Sequence, residues 1–477
     1  MKQSSALLPK WVNNLGLFFA ISVGLVLYFR LGRDALFDWD EGIYAELGRQ
    51  LLLTKNFLVS FWNGSPWLEK PPGVMWVSAL GIFFAGETAL GARLLMPLFA
   101  VYTLYIVYRL GTHLGSWKHG LIATGVLATF NLFLGRTRAV NTDMPLLASI
   151  TTTILFLLEN RPAWWVALAV FGGIWFKGLA GFLSVIIALP LFIGKSKTYL
   201  RSMIYYLLIF VVPWHLYAYL KYGSNFTTPY YFEQVVQRVT AQIEFHFESR
   251  WYYFTYLYEN LGLGVLLISS LGAASLLLRR KSLYILWWVI IPLGIFTLAK
   301  TRLFWYILPI YPALALLIAE AIGRWQQSKT SQRVVAILAV GICFQAILLT
   351  SRSVEINKLT SPLPDRLHVA QELGKLHVGS LAILVPPSER LAEALLPEVA
   401  KLTSSFRYGG MPSVPFYYGG TVEFYYDVDK FTAYWQSSPS PTAMIFAEDA
   451  RFIPTSFQTV VSSPTYLGIQ KGIYALH

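Results

Sequence analysis

A single cysteine, Cys343, leaves no room for an intramolecular disulfide or a thiolate metal cluster. Charge is scarce as well: 13% of the 477 residues are Asp, Glu, Lys or Arg, against 55% hydrophobic. With a mean hydropathy of +0.51, that balance excludes a soluble domain of ordinary composition and points to a polytopic membrane protein. No internal repeat or low-complexity tract is visible, which weighs against a transporter built from inverted repeats. The net charge is +13, yet most Lys and Arg sit in short clusters between apolar runs. That is the pattern of topology determinants and lipid headgroup contacts rather than of nucleic-acid binding. At the N-terminus, Lys2 and Lys10 precede a long apolar stretch, and Leu31-Gly32-Arg33-Asp34 lacks the small-residue pattern of a cleavage site. An uncleaved first helix is expected.

Apolar runs of roughly 15 to 22 residues read as spans over 11–31, 92–111, 119–134, 144–158, 163–176 and 179–193. Further runs cover 203–220, 256–278, 283–298, 303–319 and 334–350. The expected fold is therefore a polytopic α-helical membrane protein of about 11–13 transmembrane helices. The run 74–84 is too short to cross and is flanked by Pro71-Pro72-Gly73 and Gly86-Glu87, so it reads as an interfacial helix in a long first outer loop, 32–91. Omitting it makes the charges agree. With the N-terminus inside, His113, Lys118, Arg161, Lys195, Lys197, Arg201, Arg279-Arg280-Lys281, Arg324, Lys329 and Arg333 all fall inside, as the positive-inside rule requires. The same parity places Asp40, Glu69, Lys70, Asp143, Lys177, Arg238, His246, Lys300 and Arg302 outside. Two domains are expected: 1–350 in the membrane and 351–477 as a small α/β extracytoplasmic domain. In the latter, 381–385, 414–418 and 442–447 read as strands, and 365–376 and 388–396 as helices.

Acids at a membrane exit are costly unless they face water and have a role. Asp38-Trp39-Asp40-Glu41 follows the first apolar run, and Asp143 follows a later one. Asp40 and Glu41 also suit the start of a helix, where acids satisfy free amides; Asn141-Thr142-Asp143-Met144-Pro145 reads equally as a helix cap. Tyr44 falls one turn after Asp40 and shares its face. Aromatic clusters in the outer loops suit either sugar stacking or an interfacial belt.

The ordered set Asp40-Glu41 with Tyr44-Ala45-Glu46, Glu69-Lys70-Pro71-Pro72, 138–143, Lys177-Gly178 and 300–312 resembles the dolichyl-phosphate-mannose protein mannosyltransferase superfamily. The bacterial lipid A aminoarabinose transferase branch is the nearest in pattern. The resemblance implies a GT-C glycosyltransferase. Such enzymes pass a sugar from a polyprenyl-phosphate donor to a lipid, glycan or protein acceptor of the envelope, inverting the anomeric centre, on the outer face of the cell membrane. A transporter or flippase, and a polysaccharide ligase using a diphosphate-linked donor, are the competing readings.

Displacing a lipid phosphate from an anomeric carbon needs a base at the acceptor hydroxyl and cations for the departing phosphate. Asp40 is the expected base and Asp143 a second carboxylate in the same hydrated pocket. Lys70, Arg238 and Lys300 are expected at the donor phosphate, with Glu41, Tyr44 and Tyr306 touching substrate. An interfacial arginine that merely snorkels accounts for Arg238 equally well. The resemblance also raises a divalent metal on Glu69 and a later histidine. Here Gln234 stands near the histidine's place, leaving His246 as the substitute.

Overall fold

The computed structural model describes residues 10–241, 248–325, 363–376, 379–388, 390, 408–453 and 457–471. The expected span 334–350, most of the expected helix 388–396 and the candidate ligand His246 lie outside the described residues. The chain forms two compact units: Met1–Leu31, Leu68–Val74 and Arg93–Leu359 make the first, and Gly32–Trp67, Met75–Ala92 and Thr360–His477 the second. The sequence boundary at 350 does not anticipate that most of residues 32–91 groups with the C-terminal residues.

The first unit is helical. Among the described residues, six helices are long and apolar enough to cross a membrane, or seven if the bent pair Trp117–Leu127 and Asn131–Thr137 counts as one. Shorter apolar helices cover Asp143–Leu158 and Tyr284–Leu298, and also Gly73–Ala85, of which Met75 onward belongs to the second unit. At about 1.5 Å per residue, Gly73–Ala85 reaches about 20 Å, short of a hydrocarbon core of about 30 Å, as expected for the interfacial run. The opening helix, Lys10–Tyr28, shows how such helices associate. Gly16, Ala20 and Gly24 bury along one stripe while Phe18, Leu25 and Val26 stay exposed. A side chain at Gly16 would collide with the Tyr108 ring, and one at Gly24 with Val101. Small residues therefore let this helix seat on Met96–Leu114, where the Tyr108 hydroxyl donates to the Val12 carbonyl at 2.8 Å.

Some apolar runs are broken where hydropathy is continuous. The run 119–134 bends by 74° between its two helices. The helix Ala163–Lys177 stops at Gly178, whose φ of +60° and ψ of −140° are open to glycine, and Gly181 then folds back onto Gly173 and Ile174. Thr228–Gln237 winds as a π-helix, the wider form often found at functional sites.

The two ends of Asp143–Leu158 collect different charges. Beyond its C-terminus, Glu159 meets Arg109 at 2.6 Å, Arg161 at 3.0 Å and His113 at 3.5 Å, and Lys195 donates to Asn160 at 2.6 Å. At its N-terminus stand Asp143 and Lys177. His113, Arg161 and Lys195 thus stand at the opposite end of this helix from Asp143 and Lys177, as the parity of the spans requires.

In the second unit, a hairpin of β1 (Ser60–Trp62) and β2 (Ser65–Trp67) accompanies a five-stranded mixed sheet. Its strands are β3 (Leu381–Leu384), β4 (Val422–Tyr425), β5 (Thr442–Phe446), β6 (Phe457–Ser462) and β7 (Tyr466–Lys471), in the order β4-β3-β5-β7-β6. β3 pairs in parallel with β4 and β5, and the other pairs are antiparallel. Every residue of β3 is buried because both sheet faces are covered. Leu381 and Ile383 pack with Leu367 and Leu373 of the helix Asp365–Leu376. Ala382 and Leu384 pack with Phe431 and Trp435 of the helix Val428–Ser437. The expected strand 414–418 is instead a short helix, Val414–Tyr418. Pro415 lacks a ladder N–H and suits a first helical turn, and Gly419 at φ +77° ends it.

Candidate active site

In the first unit, Asn141 frees Asp143 from capping. Its Oδ1 accepts from the backbone N–H of Asp143 at 2.9 Å and of Met144 at 3.0 Å, so the Asp143 carboxylate is not needed at the helix start. The Asn141 amide also donates to the Arg136 and Ala139 carbonyls, fixing the turn that carries Arg136. Asp143 is 4% exposed and carries two cations: Arg136 at 2.5 Å on Oδ2, and Lys177 on Oδ1. Two opposite charges on one buried carboxylate favour its ionised form.

The cations continue onto aromatic rings. The Arg136 guanidinium lies over Trp305 at 5.0 Å and Lys177 over Tyr306 at 5.4 Å. Both distances suit cation–π attraction. The Tyr306 hydroxyl in turn accepts from Arg238 at 2.8 Å. Arg238 follows the π-helix directly, and backbone bonds from Lys300 to Val239 and from Thr301 to Arg238 bind its segment to the start of the Tyr306 turn. His215 holds the other end of the π-helix through the Tyr230 hydroxyl at 2.7 Å.

Asp143, Arg136, Lys177, Tyr306 and Arg238 thus form one connected cluster from separate chain segments, with cations in excess. Arg302, by contrast, is spent on the Glu248 and Thr297 carbonyls. The Lys300 side chain is exposed, and among the described residues it has no side-chain partner.

The Glu69-Lys70 segment is drawn in by close packing. A Cβ on Gly73 would lie 2.6 Å from the Trp175 carbonyl, so only glycine lets this segment approach the end of Ala163–Lys177. Glu69 is buried and accepts from the Gln234 amide at 3.0 Å; Lys70 is half-buried. Gln234 therefore presents a donor to Glu69 where a metal site needs a second acceptor. Among the described residues, no group of three or more His, Cys, Asp or Glu is placed to hold a metal ion. The other candidate ligand, His246, lies outside the described residues, and the mechanism proposed for the chain routes no step through a metal ion.

The acidic turn belongs to the second unit. Trp39, at φ +71° and ψ −132°, is a non-glycine residue in strained backbone immediately before Asp40, and such strain gathers at functional sites. Asp40 begins the helix Asp40–Thr54, half-buried and with no side-chain partner among the described residues. Glu41 is buried and accepts from the Phe37 N–H at 2.8 Å, closing the turn. Tyr44 is 1% exposed and packs edge-on against Trp67. Both side chains are buried beside the turn that carries Asp40. Glu46 makes a buried two-point pair with Arg49, both contacts at 2.8 Å.

Arg136 was missed in the sequence because Arg136-Thr137-Arg138 offers no local sign of which arginine faces Asp143. Arg138 instead donates to the carbonyls of Leu27, Phe29 and Arg30 at the end of the first helix.

Comparison with known proteins bears out the resemblance read from the motifs. Residues 69–217 match the family model described as dolichyl-phosphate-mannose-protein mannosyltransferase. An uncharacterized protein of Aquifex aeolicus is 27% identical over 322 residues, 64% of this chain and 63% of that one. The undecaprenyl phosphate-alpha-4-amino-4-deoxy-L-arabinose arabinosyl transferase 1 of Pseudomonas fluorescens is 26% identical over 332 residues, 65% of this chain and 60% of that one. The match spans about three-fifths of the length of these relatives. The crystal structure of ArnT from Cupriavidus metallidurans bound to undecaprenyl phosphate shares the fold, with a TM-score of 0.68 at 17% identity over 96% of this chain and 98% of that one. The archaeal oligosaccharyltransferase AglB of Archaeoglobus fulgidus aligns at a TM-score of 0.51 and 13% identity, over 80% of this chain and 59% of that one.

Proposed function

We propose that this chain, similar in sequence to the aminoarabinose transferases and built on the fold of ArnT, is a GT-C glycosyltransferase. It takes a sugar from a polyprenyl-phosphate donor and passes it to a lipid, glycan or protein acceptor of the envelope, at the outer face of the cell membrane. The observation that carries this reading is the cation-rich cluster around Asp143, joined to Arg238 through Tyr306. A departing polyprenyl phosphate gains negative charge as its bond to the anomeric carbon breaks, and prearranged cations stabilise that charge most where it develops.

In this reading Asp40 accepts the proton of the acceptor hydroxyl as its oxygen attacks the anomeric carbon. The bond from that carbon to the phosphate oxygen breaks on the opposite face, so the configuration inverts. Arg238 grips the phosphate with its guanidinium, and Lys177 and Lys70 add point charges. Asp143 acts as the counter-ion that holds Lys177 and Arg136 in place. Lys300, exposed as it is, contributes a lipid headgroup contact.

The test is transfer by the purified protein in lipid vesicles, with competition between monophosphate-linked and diphosphate-linked polyprenyl sugars. Use of the monophosphate donor supports the reading; exclusive use of the diphosphate donor points to a polysaccharide ligase. Mass spectrometry of envelope lipids, glycans and proteins with and without the gene identifies the acceptor.

Arg238→Ala is expected to raise the donor KM about tenfold to a hundredfold, since a hydrogen bond to a charged group is worth roughly 1.5–3 kcal/mol. Lys300→Ala is expected to stay within about twofold of the parent, as surface substitutions usually do. Equal donor kinetics for the parent and Arg238→Ala would remove Arg238 from the phosphate site.

A further inference from the structure

The C-terminal part of the chain has no role in the chemistry above, yet its contacts within the second unit converge on the acidic turn. Asp38, which the reaction does not use, spends both carboxylate oxygens there. Oδ1 accepts from the Ser413 backbone N–H at 3.1 Å and from the Ser413 hydroxyl, and Oδ2 pairs with Arg366. The Tyr417 hydroxyl accepts from the Leu36 N–H at 2.9 Å. A Cβ on Gly42 would stand 2.8 Å from the Ser413 backbone, so the first turn of Asp40–Thr54 rests directly on Ser413. Farther out, Asn63 exchanges hydrogen bonds with both backbone groups of Val422, and Arg49 donates to the Gly419 carbonyl at 3.0 Å. Between the anchored Asp38 and the supported Gly42 stand strained Trp39 and Asp40, which has no side-chain partner among the described residues.

Strained backbone persists only where its surroundings over-determine it. The surroundings here are Arg366 and Ser413. They bind neither the sugar nor the phosphate in the reaction above; they act on the residue two positions before the base. We propose that Arg366 and Ser413 are positioning residues, which through Asp38 hold Trp39 strained and Asp40 aimed, making the C-terminal domain a clamp on the base.

This inference rests on the reading of Asp40 as base for its kinetic consequence, but not for its structural one. Arg366 is half-buried and Asp38 more deeply so, and their pair adds to a carboxylate already held by two Ser413 donors. Breaking it loosens the turn without emptying a core. Tyr466 packs beside the pair; burial pushes its phenol up to about 12, with Arg366 drawing it down and Asp38 raising it.

The experiment compares Arg366→Met, Arg366→Lys and Asp38→Asn with Arg390→Met in the full-length protein in lipid vesicles. Arg390 makes a two-oxygen pair with Asp449 in the same domain, so its loss controls for general weakening of that domain. Two readouts are taken: kcat and donor KM per folded protein, and hydrogen exchange of the amides from Phe37 to Ile43. The expected result for Arg366→Met and Asp38→Asn is a fall in kcat of roughly tenfold to a hundredfold with the donor KM unchanged, since small misplacements of a reacting group carry costs of that order. Arg366→Lys should recover part of the loss. Exchange from Phe37 to Ile43 should rise in Arg366→Met and stay at the parent level in Arg390→Met. Unchanged exchange in Arg366→Met, or an equal rise in Arg390→Met, overturns the inference whether or not the parent transfers sugar. Failure of the parent to use a polyprenyl-phosphate sugar overturns the functional reading alone.

Discussion

Asp40→Asn is expected to abolish sugar transfer while the protein folds, melts and binds donor as the parent does. The two halves of that expectation have separate physical causes. A positioned general base contributes on the order of 10²- to 10⁴-fold to a rate, and an amide cannot take the proton, so kcat falls by about that factor. Stability does not follow, because Asp40 is half-buried and no ion pair or hydrogen bond of its side chain with a described residue is lost. The helix start keeps Glu41 on the Phe37 N–H. Kinetics and thermal melting on the same preparation decide the matter. An active Asp40→Asn enzyme would remove Asp40 as the base, and an inactive one with a much lower melting temperature would make it structural instead.

Asp143→Asn should behave in the opposite way, losing stability and activity together. The carboxylate is 4% exposed and holds Arg136 and Lys177 at once. Removing its charge strands two largely buried cations, and breaking a buried pair from one side costs roughly 3–5 kcal/mol. The same change lets Lys177 leave Tyr306, disordering the phosphate site, so kcat and the donor KM both worsen. Arg136→Met in the Asp143→Asn background should recover part of the stability, because one stranded cation is gone, but not the activity. A variant that melts with the parent would show that the Asp143 cluster carries little net energy. One that keeps full activity would separate the cluster from the phosphate site.

The contrast between these aspartates is what separates the sequence from the structure. Hydropathy placed both at a membrane exit, and chemistry nominated both as carboxylates of one pocket. Nothing local distinguishes them: each follows an apolar run and each begins a helix. Asn141, two residues earlier, takes over the cap of Asp143–Leu158 and releases Asp143 to its cations, and this is visible only once the turn is folded. Glu41 and Tyr44 show the converse. They share the motif with Asp40, yet both are buried, as is every residue from Glu41 to Arg49, so proximity in sequence to Asp40 does not give them its exposure.

Arg136 and Arg366 mark the limit of reading a chain in order. Arg366 lies 328 residues from Asp38, and no periodicity links them. Gln234 stands near where the resembled pattern has a histidine, and only the fold shows that its amide donates to Glu69.

What the residues determined unaided was whatever depends on neighbours along the chain. Sustained apolar runs made this a membrane protein, and the ordered short motifs pointed to its relatives. The expected helix 365–376 and the strands near 381–385 and 442–447 follow the same local logic. The tertiary structure decided what depends on distant partners: which cations Asp143 holds, where glycine interrupts an apolar run, and that the acidic turn is braced by Arg366 and Ser413. Hydropathy and periodicity report the free energy of leaving water, which each segment feels alone. Ion pairing and strain exist only between segments that packing has already brought together.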